Sequence, residues 1–560
     1  MRQRKWEDIL TFSAIVLAAI LLNIYAGKFF FRWDLTEEKR YSIAPATEQM
    51  LSTLQDVVYI EVYLEGDLNA EFKRLQESVR ETLEEFQVRS GGMVEFKFVD
   101  PNEAVNPQGR QRFYQQLAAK GIPQTNLFDV TPEGEKIQKV IFPGALVTFR
   151  GKEKGILLLK GNKAMSPQEQ INQSLEGVEY ELASAVQQLS EDEKKRIAFI
   201  QGHQELTPQE TIDLGTTLNE SYLLDYTTLD NPQLDAYDAL ILAQPKTRFS
   251  DTDKFYLDQY IMKGGNAMML MDRIQMNTDS IPMGGTYGFA YDLNIEDLIF
   301  RYGIRLNTDL LQDQQVGLLE VVTGNFGNQP NVRPLPWPYY IYLNNFSEHP
   351  VVRNMDVVYG KFISSLDTVK ADGVKKTPLI FTSQYSRVRN MPGMVTLDEM
   401  QDVKNREQFN QPNIPVAYLL EGQFKSLYAN RYVPKGARPQ EVVKQSKPAK
   451  LIVVGDGDII RNELDRQTGR VIPIDFDKYR QETLSNKEFI LNALSYLTDE
   501  DGLINARNKR VTLRPLDQFK LREEKLFWQV LNIAGPVVLV LLFGVLRYYW
   551  RKRKYENKGL

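Results

Sequence analysis

The chain has 560 residues, of which 25% are charged and 42% hydrophobic, and its net charge is -5. This length exceeds what one hydrophobic core supports and predicts about two to four domains. The absence of cysteine excludes disulfides, thiolate metal sites and cysteine nucleophiles. The acidic balance does not favour a nucleic-acid-binding face, and two histidines, His203 and His349, do not favour a His-rich metal site.

The first hydrophobic stretch covers residues 9–27, carries no charge and is long enough to cross the roughly 30 Å hydrocarbon layer. A cleaved signal peptide is the competing interpretation, but its apolar region is shorter, about 7–15 residues, and ends at a small-x-small site. Here the run continues into the aromatic residues of segment 29–33, which suit a membrane interface. We therefore predict a cytoplasmic tip and a retained transmembrane helix within residues 1–31.

A second hydrophobic stretch covers residues 526–546 and is followed by a tail, 547–560, with aromatic and then basic side chains. A buried core helix is the alternative, but an aromatic belt followed by a basic cluster is typical of a cytoplasmic exit. Basic residues also precede the first stretch. These patterns predict a two-pass protein of the bacterial inner membrane, with both termini cytoplasmic and the bulk of the chain periplasmic.

Residues 32–190 predict a first αβ domain in the order β-α-β-α-β-β, which resembles a thioredoxin-like fold. Its apolar patterns predict strands and helices at 57–64, 72–88, 94–99, 112–120, 145–149, 155–159 and 167–189. Pro123 stands near the position of that fold's cis-proline. Because the redox chemistry of the fold needs a Cys-x-x-Cys pair, which this chain lacks, the domain is predicted to be a scaffold.

Residues 195–500 predict a second, Rossmann-like domain with insertions. Continuous apolar strands alternate with helices, which is typical of a doubly wound parallel sheet covered on both faces. The patterns fall at 196–200, 207–221, 224–229, 239–243, 251–262, 267–271, 416–420, 451–454 and 486–497. Polar segments 398–412 and 431–450 are predicted to be solvated loops, and residues 501–525 a charged juxtamembrane linker.

An aromatic group at residues 337–342 (WPYYIY) permits two interpretations. Aromatic side chains at this density usually pack within β structure. The sharper alternative is an exposed shelf that stacks on sugars or on a partner.

Two groups of polar residues follow predicted strands of the second domain. His203 and Glu205 follow its first strand, and Asp272, Asp456 and Asp458 follow two later strands. Ligands gather at the carboxyl ends of parallel strands, so these five are the candidate ligand-binding residues. Asp456 and Asp458 have a spacing that suits a divalent cation, but strand-end aspartates also serve as loop formers and helix caps.

No catalytic residue, metal site or cofactor is predicted. His203 could do acid–base work with the carboxylates, yet no nucleophile accompanies it, and a structural hydrogen-bonded histidine is favoured. The chain contains neither a Walker sequence nor a G-x-S-x-G elbow. The sequence therefore predicts neither an ATPase nor an α/β-hydrolase.

Several segments together resemble the gliding-motility-associated ABC-transporter auxiliary proteins. The segment after the first anchor reads RWDLTEEKRYS, and the other matching segments are 198–205, 238–245, 264–265, 453–458 and 486–497. The central domain of that family resembles one shared with intraflagellar-transport proteins, which has a glutamine-amidotransferase-like sheet without the catalytic cysteine. The lack of cysteine here agrees with that loss.

The resemblance implies a non-catalytic subunit that works with an ABC permease, a separate cytoplasmic ATPase, and gliding or secretion machinery in the envelope. It implies contact with membrane lipid and leaves a homodimer open, and it transfers no ligand residues. A periplasmic module that presents a glycan or peptide to the transporter is the alternative.

Overall fold

A computed structural model describes residues 13–14, 16–18, 20, 42–103, 106–130, 136–161, 165–191, 193–326, 329–438, 441–465, 468–508 and 523–556. The chain divides into two compact units, residues 1–510 and residues 511–560. The predicted first transmembrane segment, 9–27, lies largely outside the described residues, and so does most of the predicted linker, 501–525.

From residue 42 onward, the described residues of the amino-terminal part of the first unit form four α-helices and six strands. In chain order these are α1 (Pro45–Ser52), β1 (Val58–Val62), α2 (Ala70–Arg89), β2 (Val94–Phe98), α3 (Pro107–Ala119), β3 (Thr125–Val130), β4 (Lys136–Ile141), β5 (Gly144–Phe149), β6 (Lys152–Leu157) and α4 (Pro167–Ser190).

Local sequence explains where the long helices of this part begin. The Asn69 side chain accepts a hydrogen bond from the Phe72 amide at the start of α2. Ser166 and Glu169 form a capping box at the start of α4. Strands β2-β1-β5-β6 form one sheet, in which β1 and β2 run parallel and the other pairs antiparallel.

Two details differ from the expectations for this part. The hairpin β3–β4 occupies a segment in which no strand was predicted. Among the described residues the one cis peptide bond precedes Pro392, so Pro123 does not have the cis geometry expected from the thioredoxin-like pattern.

The central part contains the remaining elements of the first unit. In chain order these are β7 (Arg196–Ile200), α5 (Ile212–Ser221), β8 (Leu223–Thr227), β9 (Ala239–Ala243), α6 (Asp251–Met262), β10 (Asn266–Leu270), β11 (Ile274–Gln275), β12 (Thr286–Ala290), α7 (Glu296–Tyr302), β13 (Ile304–Leu306), β14 (Asp309–Asp313), β15 (Val316–Phe326), β16 (Gln329–Leu343), β17 (Asn345–Phe346), β18 (Val358–Lys361), β19 (Leu366–Thr368), β20 (Val374–Phe381), β21 (Ser386–Asn390), β22 (Gly393–Val395), β23 (Pro415–Gly422), β24 (Ala449–Val454), β25 (Glu463–Leu464), β26 (Val471–Ile472), β27 (Phe476–Asp477), β28 (Glu482–Thr483) and α8 (Asn486–Thr498).

An eight-stranded sheet organises this part, in the order β17-β20-β23-β24-β10-β9-β7-β8. Strands β8, β7, β9, β10 and β24 run parallel, whereas β23, β20 and β17 extend the sheet antiparallel. The fully parallel sheet expected from the sequence is therefore a mixed one. The strand predicted at 416–420 exists, but its direction depends on long-range pairing that an apolar run does not encode.

Both faces of the sheet are covered, which explains why its strands are apolar without alternation. Ile197 and Phe199 of β7 belong to one core, and Ala198 and Ile200 belong to a second core on the opposite face. Successive side chains point to opposite faces, so every position must be apolar when both faces are buried.

The aromatic group at 337–342 lies within β16 and is packed. Trp337 and Tyr339 are fully buried, and the Trp337 and Tyr339 rings lie 5.3 Å apart. The exposed shelf is therefore wrong for these two rings. Segment 398–412, predicted to be a loop, contains the short helical turns Leu397–Lys404 and Arg406–Gln408, and Asp402 pairs with Arg387 at 2.6 Å.

The second unit contains helix α9 (Lys525–Glu556). Its portion Lys525–Trp550 is long and apolar enough to cross a membrane, by length and composition, and it is the one such helix among the described residues. Pro536 lies inside it without ending it, as membrane helices tolerate.

Candidate functional site at the carboxyl edge of the central sheet

Four parallel strands, β7, β9, β10 and β24, bring their carboxyl ends to one edge of the central sheet. The residues that follow these strands form two polar groups. The histidine cluster consists of His203, Glu205, Phe249 and Asp253. The carboxylate cluster consists of Gln244, Asp272, Asp456 and Asp458.

In the histidine cluster both ring nitrogens of a buried imidazole face carboxylates. His203 is 5% exposed, and its Nδ1 lies 3.0 Å from Glu205 Oε1 while its Nε2 lies 3.3 Å from Asp253 Oδ2. The ring stacks on Phe249 with centroids 3.7 Å apart. Glu205 also accepts the His203 backbone amide at 2.6 Å, which fixes the turn after β7.

These contacts keep the imidazole charged. Burial lowers the pKa of His203, but the hydrogen bonds to Asp253 and Glu205 outweigh burial and raise that pKa to about 9. The hydrogen bond from His203 in turn lowers the pKa of Asp253. At neutral pH the ring therefore donates from both nitrogens and has no lone pair for general-base work.

The histidine cluster joins two elements that are distant in sequence. Asp253 lies in the first turn of α6, where the Ser250 side chain accepts the Asp253 amide. His203 thus ties the turn after β7 to the start of α6, and the favoured interpretation of a structural histidine fits this geometry.

The carboxylate cluster is built by donors that hold three carboxylates together. Gln244 Nε2 donates to Asp272 Oδ2 at 2.5 Å and to Asp458 Oδ1 at 3.0 Å. Backbone amides supply the other donors: Gly457 to Asp272 Oδ1 at 2.6 Å, Asp458 to Asp456 Oδ1 at 2.7 Å, and Lys361 to Asp456 Oδ2 at 2.8 Å.

Close approach of the backbone requires glycine at position 457. A Cβ there would lie 2.6 Å from Gln244 Cβ, within the side chain that bridges the carboxylates. Gln244 itself has a positive φ of 54°, a conformation that costs free energy in most residues. The backbone at positions 244 and 457 therefore adopts the geometry that places the Gln244 amide between the carboxylates.

Burial and mutual repulsion make the carboxylate cluster hold protons. Asp456 is fully buried, and burial followed by the charges of Asp272 and Asp458 raises its pKa well above the ordinary value. Burial and the Asp458 charge raise the pKa of Asp272 to about 7. Because such neighbours titrate as a group, the cluster retains a proton near neutral pH.

The cluster does not have the arrangement of a metal centre. No group of three or more His, Asp or Glu side chains in the described part of the chain is placed to hold a metal ion. Gln244 presents its donor nitrogen to the carboxylates, whereas a metal ligand would present the oxygen. The Gln244 amide, the retained proton and Arg461, whose Nη1 lies 3.6 Å from Asp458, compensate the negative charge instead.

The five candidate residues thus fall into two groups. His203 and Glu205 meet each other, and Asp272, Asp456 and Asp458 meet each other. The segment after β9 links the groups, because the amides of Lys246 and Thr247 donate to the His203 carbonyl at 2.8 and 3.0 Å.

Sequence reasoning missed three members of these groups, Phe249, Gln244 and Asp253. Gln244 directly follows the apolar strand β9, and that position was the available signal. Asp253 lies in the first turn of α6 and not directly after a strand, so the strand-end rule did not select it.

Comparison with known proteins identifies the family. A family described as "ABC-type uncharacterized transport system" (ABC_transp_aux) matches residues 194–493, more than half of the chain. The chain belongs to this family. Both clusters lie within the matched residues. A second match, at residues 37–148, is a domain of unknown function, DUF7088.

The chain is also similar to individual proteins. An uncharacterized protein of Borreliella burgdorferi is 22% identical over 563 residues, covering 97% of this chain and 98% of that protein. The solved mmIFT52 N-terminal domain is 14% identical and covers 55% of this chain and 98% of that domain, with a TM-score of 0.31. That TM-score is too low to carry an argument.

Family membership gives the coarse function. The chain is an auxiliary component of an ABC-type transport system. The apolar helix α9 is consistent with association of this component with a membrane.

Proposed function

We propose that the chain is a non-catalytic, membrane-anchored auxiliary subunit that couples an ABC permease and a separate cytoplasmic ATPase to cell-envelope partners. Membership of the transport family over residues 194–493 is the observation that carries this proposal. Helix α9 supports it, because a span of 26 residues is sufficient to reach a permease within the bilayer.

The candidate site supports a structural role. His203 at neutral pH has both ring nitrogens committed to carboxylates, at 3.0 and 3.3 Å. Asp456 is fully buried behind the strand-end turns. Side chains whose polar atoms already make hydrogen bonds or ion pairs within the protein stabilise the fold and are not available to a substrate.

The finer proposal is a GldG-type subunit of a gliding-motility transporter. The segment RWDLTEEKRYS after the first hydrophobic stretch supports it, together with apolar stretches near both ends of the chain. In this proposal both termini are cytoplasmic, and the thioredoxin-like and Rossmann-like domains expected from the sequence are periplasmic.

Purification from native membranes tests the coupling role. The full chain, tagged at its carboxyl terminus and extracted in mild detergent, should recover a permease and an ATPase in fixed ratio. A matched variant, in which an unrelated transmembrane helix of equal length replaces residues 525–550, should stay in the membrane but lose the permease. Recovery of neither ABC protein with the unaltered chain would refute the proposal.

Two further measurements test the finer claims. Reporter fusions at residue 1 and residue 560 should both report a cytoplasmic location, and a periplasmic signal at either end contradicts the two-pass topology. Deletion of the gene in its native host should abolish surface gliding, and unchanged gliding contradicts that assignment alone.

A peptide-binding module is the second candidate. A cavity of about 570 Å³ beside α7 favours it, since ligand pockets have volumes in this range.

A further inference from the structure

The cavity beside α7 has an apolar floor. Its lining includes six apolar side chains that are each less than 10% exposed: Met271, Leu293, Ile295, Ile299, Leu306 and Leu427. Phe300 stands at the same cavity with 53% of its surface exposed. Phe300 is therefore the apolar surface that the chain leaves open here, and an occupant could gain free energy by covering it.

The rim of the cavity is charged, and cations outnumber carboxylates. Five basic residues line it, against three acidic residues: Arg301, Arg305, Lys370, Lys425 and Arg431, against Glu296, Asp297 and Asp372. This local excess is positive although the whole chain has a net charge of -5.

The carboxylates of the rim are already compensated. Asp297 lies 2.7 Å from Arg431 and 3.0 Å from Lys254, which is buried beneath the rim. Asp372 lies 3.3 Å from Lys425. Burial raises the pKa of Asp297, but the hydrogen bonds from Arg431 and Lys254 outweigh it, so that pKa falls below the usual value.

Two of the cations have no such compensation. Arg301 and Lys370 are exposed, and neither has a carboxylate within ion-pair distance among the residues that the structure describes. Glu296, the remaining rim carboxylate, pairs with Arg273. Two positive charges therefore remain available to an anionic occupant beside the apolar floor.

The cations of the rim belong to separate segments of the chain: α7, β13, the turn before β20, and the segment after β23. A peptide carries several separate carboxylates and places apolar side chains between them.

We propose that this cavity binds an acidic segment of a partner protein, with an apolar side chain against Phe300 and flanking carboxylates at Arg301 and Lys370. The choice of a protein as the source of the segment rests on the proposed function, since auxiliary subunits of transport complexes have protein partners. The cavity and its charges stand independently of that choice.

The test uses the full chain in detergent and a fluorescein-labelled peptide, Asp-Leu-Glu-Phe-Asp-Leu-Glu. Fluorescence anisotropy should show saturable binding with a Kd below about 1 mM. The peptide with Asn and Gln in place of Asp and Glu should bind at least about tenfold more weakly. Raising the salt concentration should weaken binding of the acidic peptide only.

Matched charge reversals locate the binding. The double variant Arg301→Glu/Lys370→Glu should lose about tenfold or more in affinity for the acidic peptide. The double variant Arg112→Glu/Lys152→Glu reverses two exposed cations of the amino-terminal part and should leave the affinity unchanged. Both pairs are exposed, so equal melting temperatures check that folding is intact. Phe300→Ser should weaken binding through the apolar contact alone.

Several results would overturn the proposal. The first is the absence of saturable binding of the acidic peptide. The second is equal affinity for the acidic and the neutral peptide. The third is an equal loss of affinity in the two double variants. Binding of phosphatidylglycerol vesicles that depends on Arg301 and Lys370, without peptide binding, would assign the cavity to lipid and also refute it. The proposed function is tested separately by co-purification. If Arg301→Glu/Lys370→Glu still recovers the permease and ATPase, a lack of peptide binding refutes the cavity proposal and leaves the proposed function intact.

Discussion

The histidine cluster places one imidazolium between two carboxylates, whereas the carboxylate cluster places one neutral amide between two of its three carboxylates. Both follow parallel strands at the same edge of the same sheet. In the first cluster, opposite charges favour ionisation of His203 despite burial. In the second, like charges and burial both oppose ionisation of Asp272 and Asp456.

The comparison shows that position at the carboxyl edge of a sheet does not determine what polar residues do there. A cation within hydrogen-bond distance of a buried carboxylate forms an ion pair and keeps the carboxylate ionised. Where neighbouring buried carboxylates have no cation at that distance, their pKa values rise and they retain a proton. The two clusters should therefore differ in how much they stabilise the fold and in how that stability depends on pH.

The largest effect is expected from His203→Ala, which leaves the buried Glu205 carboxylate without its cation. Removing one partner of a buried ion pair costs about 3–5 kcal/mol of stability. The melting temperature of the full chain in detergent, followed by tryptophan fluorescence, measures this loss. Permease recovery should persist below the lowered melting temperature.

The chain offers a matched control in its other histidine. Burial lowers the pKa of His349 to about 4, so that residue is neutral near pH 7. His349→Ala should lose packing against Tyr496, whose ring centroid lies 4.9 Å away, without exposing a charge imbalance. Equal losses for the two alanine variants would show that the His203 ion pairs contribute nothing particular.

Much of the fold could be read from the sequence, because apolar runs and caps are local signals. The runs at 196–200, 239–243 and 451–454 match β7, β9 and β24 within a residue or two. Strand direction was not readable, since β20 and β23 pair antiparallel through contacts distant in sequence. The domain names expected from the sequence stay predictions.

The candidate site could be read only in part. The five predicted residues follow strands, and that rule found His203 and Asp456. It did not assign them to separate groups, since neighbours across the edge depend on strand order. Gln244 was missed because a glutamine after a strand has no chemical signature until its amide is seen between two carboxylates.

The next effect concerns Gln244, whose replacement by Glu keeps the shape but replaces a donor by a fourth carboxylate. Hydrogen bonds to charged groups contribute about 1.5–3 kcal/mol, so Gln244→Glu should destabilise the chain by about that amount near pH 8. Near pH 5 the added carboxyl is protonated and can donate again, so most of the loss should disappear.

Melting temperatures at both pH values measure this difference. The exposed Gln233→Glu serves as a control of equal charge and should change little at either pH. If Gln244→Glu is as stable as the original chain near pH 8, the bridging amide does not hold the carboxylates together.

The two clusters should also lose stability in different pH windows. The pKa of Asp272 is raised from 3.8 to about 7, so the native state holds a proton that the unfolded chain releases. The stability that this proton on Asp272 contributes is fully present below about pH 4 and is lost as pH rises to about 7. The pKa of His203 is raised from 6.5 to about 9, so its contribution is lost between those values.

Difference curves isolate the windows, with each lost proton worth at most about 1.4 kcal/mol per pH unit. Subtracting His203→Ala from the original chain should leave a slope between about pH 6.5 and 9, and a separate slope at acidic pH, because His203 lowers the pKa of Asp253. A difference curve without slope between about pH 6.5 and 9 would mean that His203 is not charged in the native state.

The smallest effect is expected from Asp458→Asn, which removes one repelling charge but keeps an oxygen to accept from Gln244. Because the Asp458 charge helps to raise the pKa of both Asp272 and Asp456, the variant should lower both. Near pH 8 it should be more stable than the original chain by about 1 kcal/mol, and the loss of stability between about pH 4 and 7 should become shallower. The exposed Asp501→Asn, equal in charge change, should alter neither the stability near pH 8 nor its dependence on pH.

A stabilising carboxylate-to-amide change at this edge, beside a strongly destabilising His203→Ala, would establish that charge compensation is complete in the histidine cluster and incomplete in the carboxylate cluster. Destabilisation by Asp458→Asn near pH 8 would instead place the dominant interaction of Asp458 with Arg461, whose Nη1 lies 3.6 Å away.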